Sequence, residues 1–214
     1  MTDRHAQKDA LLLAALEHVA FDGWSRQALA AAARDLEMDP TTARRLFPRG
    51  GESMLDAFDD WADRQMLARL ENEDLERLRL RDRIAAAVRA RIEVLAPYRE
   101  ATRRALAARA LPNTAMGGFQ NLWRTVDRMW LAAGDAKDDG VAVYTKRATL
   151  AAIYTATVLY WLEDTSLDQE DSWAFLDRRI DGVMRVQTFR QRANRLSRRL
   201  PFRRRPHWSE EAEA

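Results

Sequence analysis

The chain has 214 residues, 47% of them hydrophobic and 32% charged, with 8 Gly, 6 Pro and no Cys. That length supports one large or two small packed units, the composition argues against wholesale disorder, and the absence of Cys excludes disulfides and thiolate metal sites. The net charge of +2 hides an asymmetry: residues 185–214 carry nine Arg against Glu210, Glu211 and Glu213, a balance of +6 that leaves −4 on the body, so the tail and not the body is expected to meet a polyanion.

The opening residues hold an apolar run broken by Glu17 and His18, with no basic region followed by a cleavage site, so no secretory signal is expected. Leu12, Leu16, Val19 and Ala20 repeat on one helical face from Asp9 to Phe21, and Gly23 stops that helix. Ser25 is placed to cap a helix through Leu36. Asp39 caps a short third helix with Pro40 at its first position, where a missing N–H costs nothing. This helix ends near Phe47-Pro48, and Gly50-Gly51 break the chain. A long helix follows, from Glu52 to Asn72. Further helices are expected at Arg81–Leu95, halted by Pro97; Arg99–Ala110, halted by Pro112; Thr114–Ala133, halted by Gly134; Tyr144–Leu162; and Asp168 or Asp171 to Met184. Strand alternation and hairpin signals are missing. The most apolar stretch, ATLAAIYTATVLYWL (148–162), is shorter than the ~20 residues of a membrane span, so a soluble, cytoplasmic protein is expected.

Three short helices, one long connecting helix and an apolar bundle form the plan of TetR-type proteins. Four stretches in order carry a closer likeness: LFPRG (46–50), APYREATRRAL (96–106), VDRMWLAAGD (126–135) and VYTKRATLAAIYTATVLYWLEDTSLDQEDSWAFLDRRIDGVM (143–184). Together they resemble the TetR-like lipid-binding family of ubiquinone (coenzyme Q) biosynthesis, over roughly residues 8–186. The resemblance implies an all-α, TetR-like fold: a helix-turn-helix unit (1–50), a lipid-binding and dimerisation bundle (51–184) and a basic amphipathic helix with its tail (185–214). It also implies a non-catalytic homodimer that binds an isoprenoid lipid, docks on membrane and supports the hydroxylase completing the quinone ring. No cofactor is expected beyond the bound isoprenoid lipid or ubiquinone intermediate.

A DNA reader needs basic and hydrogen-bonding side chains on its recognition helix. Arg44, Arg45, Thr41 and Thr42 are candidates. Against them stand Asp39 at the helix start and a flank of acids, Asp56, Asp59, Asp60 and Asp63. TetR-type readers place a tyrosine where this chain has Arg44, and a lysine where it has Arg49-Gly50-Gly51. No nucleic-acid partner is therefore expected. A ligand-responsive, DNA-binding regulator of TetR type is the alternative.

Large apolar side chains crowd the later helices. Periodicity does not separate a packed core from a lined pocket, and the resemblance implies the pocket. Its expected lining is Phe119, Trp123, Val126, Met129, Trp130, Ile153, Tyr154, Thr157, Val158 and Trp161, with hydroxyls also at Thr149 and Thr155. In the resembled family an aromatic pair at 143–144 belongs to the hydroxylase-contacting patch; here only Tyr144 matches, because Val143 replaces a tryptophan. Leu111, Pro112, Met116, Val143 and Tyr144 are the expected partner surface. Trp173, Leu176, Ile180 and Val183 form a stripe suited to pairing with a second subunit, with packing inside one subunit as the other option.

In the tail, Val186, Phe189, Ala193, Leu196 and Leu200 share one helical face, and arginines occupy the others. Arg185, Phe189, Arg192, Arg195, Leu196, Arg199 and Leu200 are the expected contacts with an anionic membrane, a peripheral attachment on the inner face. Packing on the body and nucleic-acid phosphate are the other options. Catalytic constellations are missing: His5, His18 and His207 show no metal-ligand spacing, and Asp59-Asp60, Asp138-Asp139 and Glu163-Asp164 are expected as solvated surface or caps.

Overall fold

The computed structural model describes residues 2–134 and 141–197, with side chains described for 3–134 and 143–183. All regular structure among the described residues is helical: α1 (Thr2–Asp22), α2 (Arg26–Asp35), α3 (Pro40–Leu46), α4 (Gly51–Leu70), α5 (Leu80–Leu95), α6 (Arg99–Arg109), α7 (Pro112–Ala132), α8 (Val141–Glu163) and α9 (Glu170–Ser197), joined in places by short 3₁₀ turns.

The N-terminal unit is built by local chemistry. Ser25 Oγ accepts a hydrogen bond from the Ala28 amide at 3.2 Å, and Asp39 Oδ2 accepts one from Thr42 at 2.9 Å, so each helix start has a partner for an otherwise orphaned N–H. Ala28, Ala31, Ala32 and Ala33 are buried, and their small side chains let α2 lie close against α1. Gly50 has φ +59°, and a Cβ on Gly51 would stand 1.8 Å from the Trp24 carbonyl oxygen. Only glycine at 51 lets α4 begin under the α1–α2 turn.

Tertiary contacts then weld this unit to the bundle. Trp24 Nε1 donates to the Ala101 carbonyl at 3.1 Å, and its ring lies 5.3 Å from that of Phe58. Arg64 of α4 grips Asp9 of α1 with two bonds of 2.8 Å. The buried apolar residues from Leu11 to Ile180 form a continuous cluster, so position 50/51 is a helix boundary inside one core. Helix α4 lies against α5 and α7, while α8 is flanked by α7 and α9.

Three expectations are corrected here. Pro112 does not merely end α6; it occupies the first turn of α7. Helix α9 runs unbroken through Met184 to Ser197, because no proline interrupts it before Pro201. The stripe expected to face a second subunit faces its own core: Leu176 and Ile180 are buried, and Trp173 and Val183 pack against the same cluster. Trp173 is further held by Arg89, whose guanidinium sits 5.3 Å from the ring centroid, and by its own bond to the Asp168 carbonyl.

Asp164 secures the α8–α9 corner. One carboxylate oxygen accepts from the Ser166 amide and hydroxyl, the other from those of Ser172, at 2.5–2.9 Å. Burial works to raise this carboxyl, but the four bonds outweigh it and bring the pKa down to about 2.

Candidate functional site

Asp56, Asp59, Asp60 and Asp63 follow one another at helical spacing along α4. The structure corrects their expected role as an acidic flank and solvated surface. They point into the seam with α5, α6 and α7, where arginines meet them. Asp63 is 0% exposed and accepts from Arg91 Nε at 2.9 Å, Thr125 Oγ1 at 2.8 Å and Arg128 Nη1 at 3.0 Å. Asp56 and Asp59 share Arg109 Nη2, at 2.7 and 3.1 Å, and Asn121 Nδ2, at 2.9 and 3.0 Å. Arg128 and Arg64 hold Asp60. Burial opposes ionisation of Asp56 and Asp60, yet their arginines prevail and keep both carboxyls below the usual range. At Asp59 burial wins over Arg91 and Arg109, and the carboxyl is pushed up.

Beside this network lies a cavity of ≈ 220 Å³. Its walls are Phe58 and Asp59 of α4, Arg91 and Leu95 of α5, and Thr102, Leu106 and Arg109 of α6. Phe119, Leu122 and Thr125 of α7 and Tyr154, Thr155 and Val158 of α8 close it. Its lining is mostly apolar, and its charged members are Asp59, Arg91 and Arg109. Gly117 and Gly118 face Arg109: an added Cβ would stand 3.1 Å from its Nη1 and 2.9 Å from its Cδ respectively, so the glycine pair makes room for the guanidinium. Arg91, Arg109 and Arg128 were missed by the sequence reasoning. A faint signal exists at Arg91, a cation inside the apolar run of α5.

The expected lining residues separate into groups. Phe119, Tyr154 and Val158 line this cavity. Trp130 and Ile153 border a second hollow of ≈ 270 Å³, with Leu150 and Thr149 of α8 and Ile180 of α9. Val126, Met129, Thr157 and Trp161 are in the packed core; the Thr157 hydroxyl is spent on the Ile153 carbonyl, and Trp161 carries Arg99 over its face at 4.9 Å. Trp123 is half-buried near the surface. Its ring lies 6.0 Å from Phe119 and 6.1 Å from Tyr144.

That aromatic row belongs to an exposed apolar patch. Leu111, Met116, Phe119 and Tyr144 are 54%, 68%, 59% and 66% exposed; Pro112 is exposed and Val143 half-buried. Phe119 takes part in both features, as cavity wall and patch residue. Thr41, Arg44 and Arg45 are exposed on α3, while Arg49 is drawn to Asp56 at 2.8 Å. Arg185, Phe189, Arg192, Arg195 and Leu196 lie on the helical backbone of α9, with side chains outside the described ones; Arg199, Leu200 and the pair Asp138-Asp139 lie outside the described residues. Among the described residues no helix is long and apolar enough to cross a membrane, and no group of His, Cys, Asp or Glu is placed to hold a metal ion.

Residues 115–187, from α7 into α9, match the COQ9 family model. The chain is 34% identical over 183 residues to the Homo sapiens protein described as ubiquinone biosynthesis protein COQ9, mitochondrial, a match covering 82% of this chain and 57% of that protein. The Xenopus tropicalis protein of the same description is 36% identical over 185 residues, 83% of this chain and 58% of the other. The chain thus spans less than two thirds of the length of these relatives. Among solved structures, a TetR transcriptional regulator from Nitrosomonas europaea ATCC 19718 superposes with a TM-score of 0.68 at 26% identity, covering 82% of this chain and 97% of that one. The fold is therefore all-α and TetR-like.

Proposed function

The chain belongs to the COQ9 family, and from that premise we propose that it is a non-catalytic accessory protein of ubiquinone biosynthesis, one that binds an isoprenoid quinone intermediate and presents it to a hydroxylase at a membrane. The observation that carries this is the sharing of Phe119 between a cavity open toward the surface and an exposed apolar patch. A contiguous apolar patch on a protein surface marks a binding surface. A cavity that reaches such a patch lets a ligand pass from one protein to another without entering water.

In this proposal Leu111, Pro112, Met116, Val143 and Tyr144 meet the hydroxylase, and the segment from Arg185 to Leu200 rests on the anionic inner face of the membrane. The cavity of ≈ 220 Å³ lies below the roughly 300–1,000 Å³ of sites that enclose a drug-sized ligand, so it accommodates part of a long isoprenoid and not the whole. The remainder of the chain runs out along the patch. The protein acts as a homodimer. Since the Trp173 stripe is used internally, the pairing surface is the outer side of α8 and α9, where Leu159 and Tyr160 are exposed and Tyr160 stacks on Phe175.

Native mass spectrometry of the purified protein, followed by extraction of co-purifying lipid, tests the proposal. A prenylated ring compound in the extract supports it. A protein free of lipid that also fails to take up a short-chain ubiquinone sinks it. A regulator of TetR type would instead select one palindromic duplex at nanomolar strength in physiological salt.

A further inference from the structure

Between α2 and α3 runs an open groove of ≈ 650 Å³, larger than either hollow in the bundle. Its floor is closed by Leu29, Ala33, Ala43 and Phe47, all buried. Ala30, Pro40 and Pro48 are exposed along it and Met38 is half-buried, so it offers small apolar groups to the outside. Three exposed arginines border it: Arg26, Arg34 and Arg44. Among the described residues none of the three meets a carboxylate; Arg34 has only the Ala30 carbonyl of its own helix, at 3.4 Å. Asp35 turns to His18 and Asp39 to Thr42, and neither they nor Glu37 border the groove. A Cβ at position 50 would stand 2.7 Å from Arg26 Cγ, so glycine there keeps this arginine at the groove's edge.

We propose that this groove docks an acidic amphipathic helix of a partner protein. Arg26, Ala30 and Arg34 are four residues apart in turn, so two cations stand about 12 Å apart along one ridge of α2 with only a methyl group between them. A partner helix can approach closely over Ala30, lay its apolar stripe on Met38 and Pro48, and place acids two turns apart. Arg26 and Arg34 meet those acids from α2, and Arg44 from α3. A DNA backbone fits less well. Its phosphates are continuous and would also face Glu37 and Asp39 at the α2–α3 turn, whereas a helix sets its acids one by one. The chain's own acids at Glu210, Glu211 and Glu213 are not the occupant within one molecule. The ion pairs Arg89–Asp177 and Arg81–Asp181 set α9 antiparallel to α5, heading away from the Trp24–Ala101 junction with the N-terminal unit. The groove shares no residue with the bundle cavity or the aromatic patch, and the docking site stands whether or not the protein binds lipid.

Fluorescence anisotropy tests it with a labelled peptide of about 18 residues, long enough to hold a helix. The peptide carries a leucine stripe flanked by glutamates, and a twin has lysine at each glutamate. The glutamate peptide should bind the parent at least about tenfold more tightly than its twin. Arg26→Glu with Arg34→Glu and Arg44→Glu should reverse that order. Ala30→Trp, which fills the groove from an exposed position, should weaken the glutamate peptide about tenfold or more. If the triple variant fails to fold by circular dichroism, Arg34→Glu alone must still lower the affinity. No preference of the parent for the glutamate peptide, or undiminished affinity in Ala30→Trp or in the folded charge variants, overturns the docking site. So does displacement of the peptide by a short duplex DNA or by anionic vesicles at physiological salt, which would assign the arginines to phosphate.

Discussion

Asp63 and Arg91 form an ion pair in the middle of the bundle with almost no solvent on either side, Nε to Oδ1 at 2.9 Å. Neither residue is paired by sequence proximity; α4 and α5 bring them together. Removing one partner leaves the other charge buried and uncompensated. Asp63→Ala should therefore destabilise the protein by about 3–5 kcal/mol in urea unfolding. Glu100→Ala, at a surface pair with Arg104, should cost less than about 1 kcal/mol. Similar effects at the two sites would contradict this account.

Glycine at 51 is set by space, and glycine at 23 by backbone angle alone. A Cβ at Gly51 would collide with the Trp24 carbonyl, whereas at Gly23, φ +65°, nothing stands within 4 Å. Gly51→Ala should lower stability by more than about 3 kcal/mol and Gly23→Ala by about 1 kcal/mol. Thermal melts of the two variants, side by side, check the order.

The Asp164 corner makes stability depend on acid. Its hydrogen bonds hold the folded carboxyl down to about 2, below the ordinary 3.8 of an aspartate in the unfolded chain. Its contribution is complete above pH 4 and is lost as pH falls from 4 toward 2, amounting to at most about 2 kcal/mol. Asp164→Asn should flatten the parent's loss of stability across that window and make little further difference below it. Urea titrations at stepped pH read this directly.

Tyr144 has most of its surface in solvent, so its removal should leave the fold nearly unchanged. Tyr144→Ala is expected to alter stability by less than about 0.5 kcal/mol. If the patch meets the hydroxylase, the same change should weaken that complex about tenfold or more, as truncation of an aromatic anchor does. Surface plasmon resonance against the immobilised hydroxylase supplies the number.

For the tail, two contributions should separate in liposome co-sedimentation. Raising salt weakens charge attraction, which acts over roughly 8 Å in physiological salt. Apolar insertion persists. Truncation after Met184 should abolish binding to anionic vesicles, and Phe189→Asp with Leu196→Asp should nearly do so although every Arg remains. Full binding by the double variant would mean that charge alone holds the tail.

Much of the fold was legible in the order of residues, because its determinants are local. Ser25 and Asp39 cap helices through amides three residues away, and Gly50-Gly51 mark the start of α4. The apolar periodicity of α1 and α9 identified which faces avoid water. What each face meets is a different matter. Trp173, Leu176, Ile180 and Val183 would have the same spacing whether they packed on a partner or on their own core; the path of the chain chose the core. Asp56 through Asp63 looked like solvated acids until α5, α6 and α7 delivered Arg91, Arg109 and Arg128 to them. Val126 and Met129 are packed solid while Phe119, on the same helix, borders a cavity. Hydrogen bonds across three residues are set by the sequence alone. Pairing over 28 residues, as between Asp63 and Arg91, and the voids left between helices depend on the angle and spacing at which whole elements dock, and only the tertiary structure decides those.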